Sequence, residues 1–267
     1  MTASSSSETA TAGASGSRSL LGKVAIISGS CSGIGLAIAH DLSAHGARVV
    51  VNYPFASLAA EAAEAAASLP TPHLLVEADL STVDGPQKLV EATVREYGHV
   101  DILVNNAGIA VNLPLEDHTL EHWDALVSLN GRGTFLLTQA VLPHLTRGGR
   151  IVNICSVSSR GPPPLQTIYA GTKGMIDSFT RVWAKELPPK YGCTVNAVSP
   201  GPVETSAFTT LPEDVMKVLG PTIDATPVER RMAKPEEIAF AVTFLCEERS
   251  RWVNGEHMFV NGGLFVH

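Results

Sequence analysis

Tyr169 and Lys173 stand four residues apart, so on a helix the phenol and the ammonium share one face and reach the same space. That pairing suits proton transfer. A phenol with its ordinary pKa of about 10 is a poor base at neutral pH, and a cation beside it stabilises the phenolate. Such a group can give a proton to a developing alkoxide or take one from an alcohol. Pairs of this spacing also arise by chance in many helices, so the spacing alone assigns nothing. Ser156 adds a hydroxyl thirteen residues upstream, just beyond the apolar run Ile151–Ile154. In an open parallel sheet the carboxyl ends of strands face the ligand crevice, and a hydroxyl there can donate to an oxygen on which charge forms.

These groups need a sheet to hold them. Lys23 to Ser28 is a short apolar run, Val49-Val50-Val51 a second, and Leu74-Leu75-Val76 a third, with helical patterns between them. Further runs stand at Ile102-Leu103-Val104, Ile151–Ile154, Thr194–Val198 and Met258–Val260. About seven strands alternating with helices predict a single α/β domain with a doubly wound, Rossmann-like parallel sheet over residues 20–267, because right-handed crossovers place helices on both faces. The first strand runs into Ser28-Gly29-Ser30-Cys31-Ser32-Gly33-Ile34-Gly35 and then into a helix. A strand-to-helix turn of this kind aims free N–H groups and the positive helix end at one point, and its glycines let a pyrophosphate come close.

Taken in order, these motifs resemble those of the short-chain dehydrogenase/reductase family. The glycine spacing is similar to that family's TG-x3-GIG loop, with Ser28 in place of Thr. The resemblance runs from about Leu21 to Val266, nearest to 3-oxoacyl-carrier-protein reductases and fungal polyketide or hydroxynaphthalene reductases. It implies a catalytic set of Asn130, Ser156, Tyr169 and Lys173, with Tyr169 as acid/base, Lys173 also gripping the nicotinamide ribose, Ser156 donating to the substrate carbonyl, and Asn130 holding a water in a proton relay. For the cofactor it implies contacts from Gly29, Ser30, Ser32, Gly33, Ile34 and Gly35, from Asp79-Leu80 to the adenine, and from Asn106, Ala107 and Gly108. It adds Val203 and Thr205 at the nicotinamide carboxamide, and a homotetramer, with a dimer as the second possibility.

The second strand ends in Asn52-Tyr53 rather than a carboxylate, which points to NADP(H) over NAD, since a carboxylate would bind a ribose 2′-OH and repel a 2′-phosphate. No Arg or Lys stands near to pair with that phosphate, so side chains of Ser30, Ser32 and Asn52 are expected to serve. NAD stays possible, with an alcohol or sugar dehydrogenase as the alternative activity and a silent cofactor-binding scaffold as another. Residues 206–233, with Pro212, Pro221 and Pro227, read as a substrate lid. Val111, Leu113, Pro163, Leu165, Ile168, Phe208 and Met216 suggest a moderately apolar carbonyl or alcohol substrate.

Composition narrows the partners. With 267 residues, 45% hydrophobic, the chain can bury a full core. A formal net charge of -7 without a basic run argues against nucleic acid or anionic membrane surfaces. No apolar stretch approaches the roughly 20 residues of a membrane span. The four cysteines are far apart and show no metal-ligand spacing, so no metal site is expected; reduced buried thiols suggest a cytoplasmic protein. Residues 1–19, rich in Ser, Thr, Ala and Gly, read as a disordered tail.

Overall fold

Runs of Val, Ile, Leu and Ala without polar alternation suit strands covered on both faces, as in a parallel sheet. The computed structural model describes residues 18–266 and, among them, forms seven strands. They are β1 (Val24–Ile27), β2 (Arg48–Tyr53), β3 (His73–Glu77), β4 (Val100–Asn105), β5 (Leu145–Ile154), β6 (Thr194–Pro200) and β7 (His257–Val260). All pair in parallel, in the order β3-β2-β1-β4-β5-β6-β7. The doubly wound α/β sheet expected from the sequence is present. Of the expected N-terminal tail, residues 1–17 lie outside the described residues. Ser19 already belongs to the fold, its hydroxyl donating to the Glu247 carboxylate at 2.8 Å.

The connecting helices are α1 (Gly33–Ala44), α2 (Ala59–Ala67), α3 (Gly85–Tyr97), α4 (Leu120–Leu126), α5 (Thr134–Val141), α6 (Thr167–Glu186), α7 (Pro188–Tyr191), α8 (Ser206–Thr209), α9 (Glu213–Asp224) and α10 (Pro235–Cys246). Between α4 and α5 the backbone forms a π-helical turn over Val127–Gly133. Alternation along the strands divides the core in two. Val49 and Val51 of β2 face a cluster with Ile38 and Leu42 of α1 and Val242 and Leu245 of α10. Val50 faces the other way, into a cluster with Leu89 of α3, Leu137 of α5 and Trp183 of α6.

The chain leaves β1 toward β2 and β3, then returns to β4 on the other side of β1 and continues outward to β7. The carboxyl ends of β1 and β4 therefore border a topological switch point, where crevices form in such sheets. The predicted lid is mostly helical, α8 and α9, and its two ends are joined. Val203 and Ala233 form a parallel bridge, with Glu204 N donating to Ala233 O at 2.9 Å and Ala233 N to Pro202 O at 2.9 Å.

Candidate active site

The glycine loop lies at the switch point and is built from β1, β2 and β4 together. Gly29 has φ +60° and Gly33 φ +55°, a region L-residues rarely adopt. At Gly35 a Cβ would sit 2.3 Å from the Gly29 carbonyl and 2.5 Å from Asn106 Nδ2, so only hydrogen fits. Ser28 Oγ accepts from the backbone N–H of both Asn106 and Ala107 at 2.9 Å, and Asn106 Nδ2 donates to the Ser28 and Gly29 carbonyls at 2.9 Å. The exits of β1 and β4 are thus laced into one unit.

Two residues expected to meet a cofactor phosphate with their side chains are turned inward instead, and this corrects the expectation for those side chains. Asn52 is 2% exposed; its Oδ1 accepts from Gly29 N at 3.0 Å and its Nδ2 donates to Ala78 O at 3.0 Å and Val76 O at 3.3 Å. Ser30 is fully buried, its hydroxyl donating to Ile27 O at 2.7 Å and accepting from Asn52 N at 3.1 Å. Buried polar groups must find partners, and here the partners are the loop's own backbone, so both side chains hold its shape. Ser32, by contrast, is exposed at the N-cap of α1 and makes no capping bond with its side chain, and the first turn of α1 carries no acid. An exposed Ser32 beside the positive end of α1 fits a pyrophosphate.

Farther along the edge, Asp79 Oδ1 accepts from the Ser81 N–H at 2.9 Å and its hydroxyl at 2.7 Å. The Leu80 side chain is buried. Tyr53 is half-buried at the end of β2.

The four predicted catalytic residues arrive from three places in the fold: the π-helical turn, the segment after β5, and α6. Asn130, 1% exposed, sits inside the π-helical turn. Its Nδ2 donates to Ile109 O at 2.9 Å and to Thr172 Oγ1 at 3.0 Å, while Oδ1 accepts from Ile109 N at 2.9 Å. Both amide N–H bonds are therefore spent, and of its side chain only the second lone pair of Oδ1 is left for a water. Lys173, buried in α6, donates from Nζ to Ile154 O of β5 at 2.9 Å and lies 5.7 Å from the Tyr169 ring centroid. A Cβ on Gly108 would meet Asn130 Oδ1 at 3.2 Å and Lys173 Nζ at 3.6 Å, which brings the exit of β4 to the same spot. Ser156, two residues beyond the end of β5, accepts from Ser158 N at 3.1 Å.

On the other side of the loop, Thr205 leans over it, its methyl 3.3 Å from where a Cβ on Gly33 would stand. Val203 is buried in its bridge with Ala233. The expected pocket walls are linked: Leu113 N donates to Leu165 O at 3.0 Å, and Gln166 joins Asn112 at 3.1 Å to Ser158 at 2.7 Å. Leu165 holds φ +72° to make this turn. Ile168, expected on a wall, is buried at 6% exposure instead. Sequence reasoning missed Gln166 and Thr172, because neither stands in a recognisable motif; only the fold brings them to Ser158 and Asn130.

Comparison with known proteins identifies the family. A family profile described as Enoyl-(Acyl carrier protein) reductase matches residues 29–265. The short-chain dehydrogenase/reductase FrzI of Cladobotryum sp is 41% identical over 250 residues, covering 92% of this chain and 97% of the relative. The hydroxynaphthalene reductase-like protein Arp2 of Metarhizium robertsii is 36% identical over 257 residues, covering 92% and 96%. A crystal structure of a short chain dehydrogenase from Burkholderia cenocepacia in complex with NADP superposes with a TM-score of 0.84 at 32% identity, covering 92% of this chain and 98% of that one. By its fold and its relatives, this chain belongs to the short-chain dehydrogenase/reductase family of oxidoreductases that use a nicotinamide cofactor.

Proposed function

We propose that the protein is an NADP(H)-dependent ketoreductase that converts a moderately apolar ketone into a secondary alcohol. The observation that carries this reading is the convergence of Gly108, Asn130 and Lys173 beside Tyr169, at the carboxyl end of the sheet that also holds the glycine loop. The nicotinamide supplies the hydride when bound. Tyr169 gives its phenolic proton to the carbonyl oxygen as charge forms there, and Ser156 donates a hydrogen bond to that same oxygen. Lys173 places its positive charge near the phenol and is held by the Ile154 carbonyl. Asn130 fixes the Ile109 and Thr172 side of the site and offers Oδ1 to a relay water.

NADP(H) is favoured because β2 ends without a carboxylate, and the Burkholderia cenocepacia relative was crystallised with NADP. Ser32 and Tyr53, rather than Ser30 and Asn52, are the side chains we assign to the phosphate side. Likeness to the hydroxynaphthalene reductase-like protein of Metarhizium robertsii supports a fused aromatic ketone as substrate class. Fluorescence titration with NADPH and NADH, followed by absorbance with a panel of quinones, aryl ketones and β-keto esters, tests the reading. Tighter NADPH binding with turnover of a panel member supports it; NADH preference moves the activity to a dehydrogenase, and binding of cofactor with no turnover on any ketone counts against a ketoreductase.

A further inference from the structure

The face of α6 that carries Tyr169 and Lys173 continues one turn further to Asp177. Asp177 is 3% exposed and accepts four hydrogen bonds. Arg160, from the segment after Ser156, donates through Nε and Nη2 at 3.1 Å each; Arg181 of α6 donates from the rim; and His257 Nδ1 donates at 2.8 Å. His257 opens β7, on the far edge of the sheet, and is itself 6% exposed. Its other ring nitrogen pairs with the Ser199 hydroxyl of β6. Cys155, between the Ile154 carbonyl that holds Lys173 and the reacting Ser156, sends its thiol to the Lys173 carbonyl at 3.2 Å and lies against the same imidazole.

The ring also anchors an aromatic stack. Phe259 lies parallel to His257 with centroids 4.5 Å apart, Phe265 follows at 5.0 Å, and Arg160 covers Phe259 at 5.6 Å. Phe265 in turn lies so close to Gly161 that a Cβ there would meet its ring at 2.7 Å. One imidazole thus connects β6, β7, the catalytic helix and, through Asp177 and Arg160, the segment leaving Ser156.

We propose that His257 is a positioning residue for the reductase chemistry: through Asp177 it bolts the C-terminal strand to α6 and so fixes the Tyr169–Lys173 face against the end of β5. The proposal rests on the ketoreductase reading for its kinetic part. Its physical warrant is that a catalytic group displaced by about 1 Å can lose as much as a hundredfold in rate. The charged and titratable groups facing the ring are Asp177, Arg160 and Arg181 through that carboxylate, Cys155, and Lys173 beyond it. Burial opposes a charged ring, but the Cys155 thiol and the Asp177 carboxylate outweigh it and raise its pKa above the ordinary imidazole value. A raised pKa makes the clamp complete at low pH and weaker as pH rises through that value.

The test combines His257→Gln with the intact protein. In the variant we expect kcat for ketone reduction to fall about tenfold with NADPH affinity unchanged, faster hydrogen exchange across Thr167–Asp177, and loss of one ionisation from the kcat–pH profile. In the intact protein the His257 ring, followed by nitrogen NMR, should titrate above the free imidazole and with the same midpoint as that ionisation. The proposal is overturned if the ring titrates at or below the ordinary value, if exchange across α6 is unaltered, or if kcat and NADPH affinity fall together with folded fraction, which is what a merely structural residue would do. Ring titration and exchange need no turnover, so a ketone panel that the intact protein ignores would sink the ketoreductase reading and leave the clamp to stand or fall on those two measurements.

Discussion

A single hydroxyl shows how closely residue chemistry is used in this site. Ser28 stands where related glycine loops have Thr, and its Oγ accepts from two backbone N–H groups at once. Ser28→Ala would leave two donors without their partner, at a cost of about 1–3 kcal/mol for each buried one, so urea unfolding should show a marked loss of stability, whereas Ser28→Thr should be close to neutral. Tyr169→Phe should lose at least about a hundredfold in turnover while NADPH titration stays normal; near-normal rates would remove the phenol from the chemistry. Tyr53→Asp should move preference toward NADH, and an unchanged ratio would show that β2 does not end at the selectivity position. Tyr169, Lys173 and Ser156 could be singled out from the sequence because their types and spacing are chemically unusual in combination, and the structure places Lys173 beside Tyr169 and joins it to the end of β5, two residues before Ser156. Ser30 and Asn52 were misread because a polar side chain near a ligand loop can face either way, and only packing shows that these two are consumed by the backbone.

Among the elements, strands were the easiest to read. A buried parallel strand is an unbroken apolar run, and each of the seven runs found in the sequence is a strand. The π-helical turn at Val127–Gly133 was invisible, since a change from four- to five-residue bonding leaves no mark on side-chain type, and such turns often occur at functional sites. Its consequence is measurable. Asn130→Ala removes three hydrogen bonds that tie this turn to Ile109 and Thr172, and turnover should fall further than cofactor affinity does in a side-by-side measurement. Equal losses in both would mean that Asn130 only supports the fold around the cofactor. The clamp on α6 was equally hidden: His257 and Asp177 are 80 residues apart and meet only because β7 closes the sheet.

For the whole molecule, stability should follow Asp177 as acid is added. Burial works against its charge, yet Arg160 and His257 hold its pKa down to about 2. A depressed carboxylate stabilises the fold above the unfolded value of about 3.9 and loses that contribution as pH falls through it toward 2. The gap in urea midpoint between the parent protein and Asp177→Asn should therefore narrow from pH 5 to pH 3, and a constant gap would show that the carboxylate's charge is not what matters. We also propose a homotetramer, to be checked by light scattering; Trp252 at 95% exposure and Phe240 at 73% are large apolar side chains of the kind subunit contacts cover. The bridge between Val203 and Ala233 bears on how such a protein can diversify. Because the two ends of the intervening segment are held together by the scaffold, lengthening that segment changes the closure entropy only by the logarithm of its length. We propose that residues 204–232 are therefore an exchangeable cassette, whose transplanted counterpart of different length would bring a new substrate preference while the proposed proton-transfer residues stay where they are.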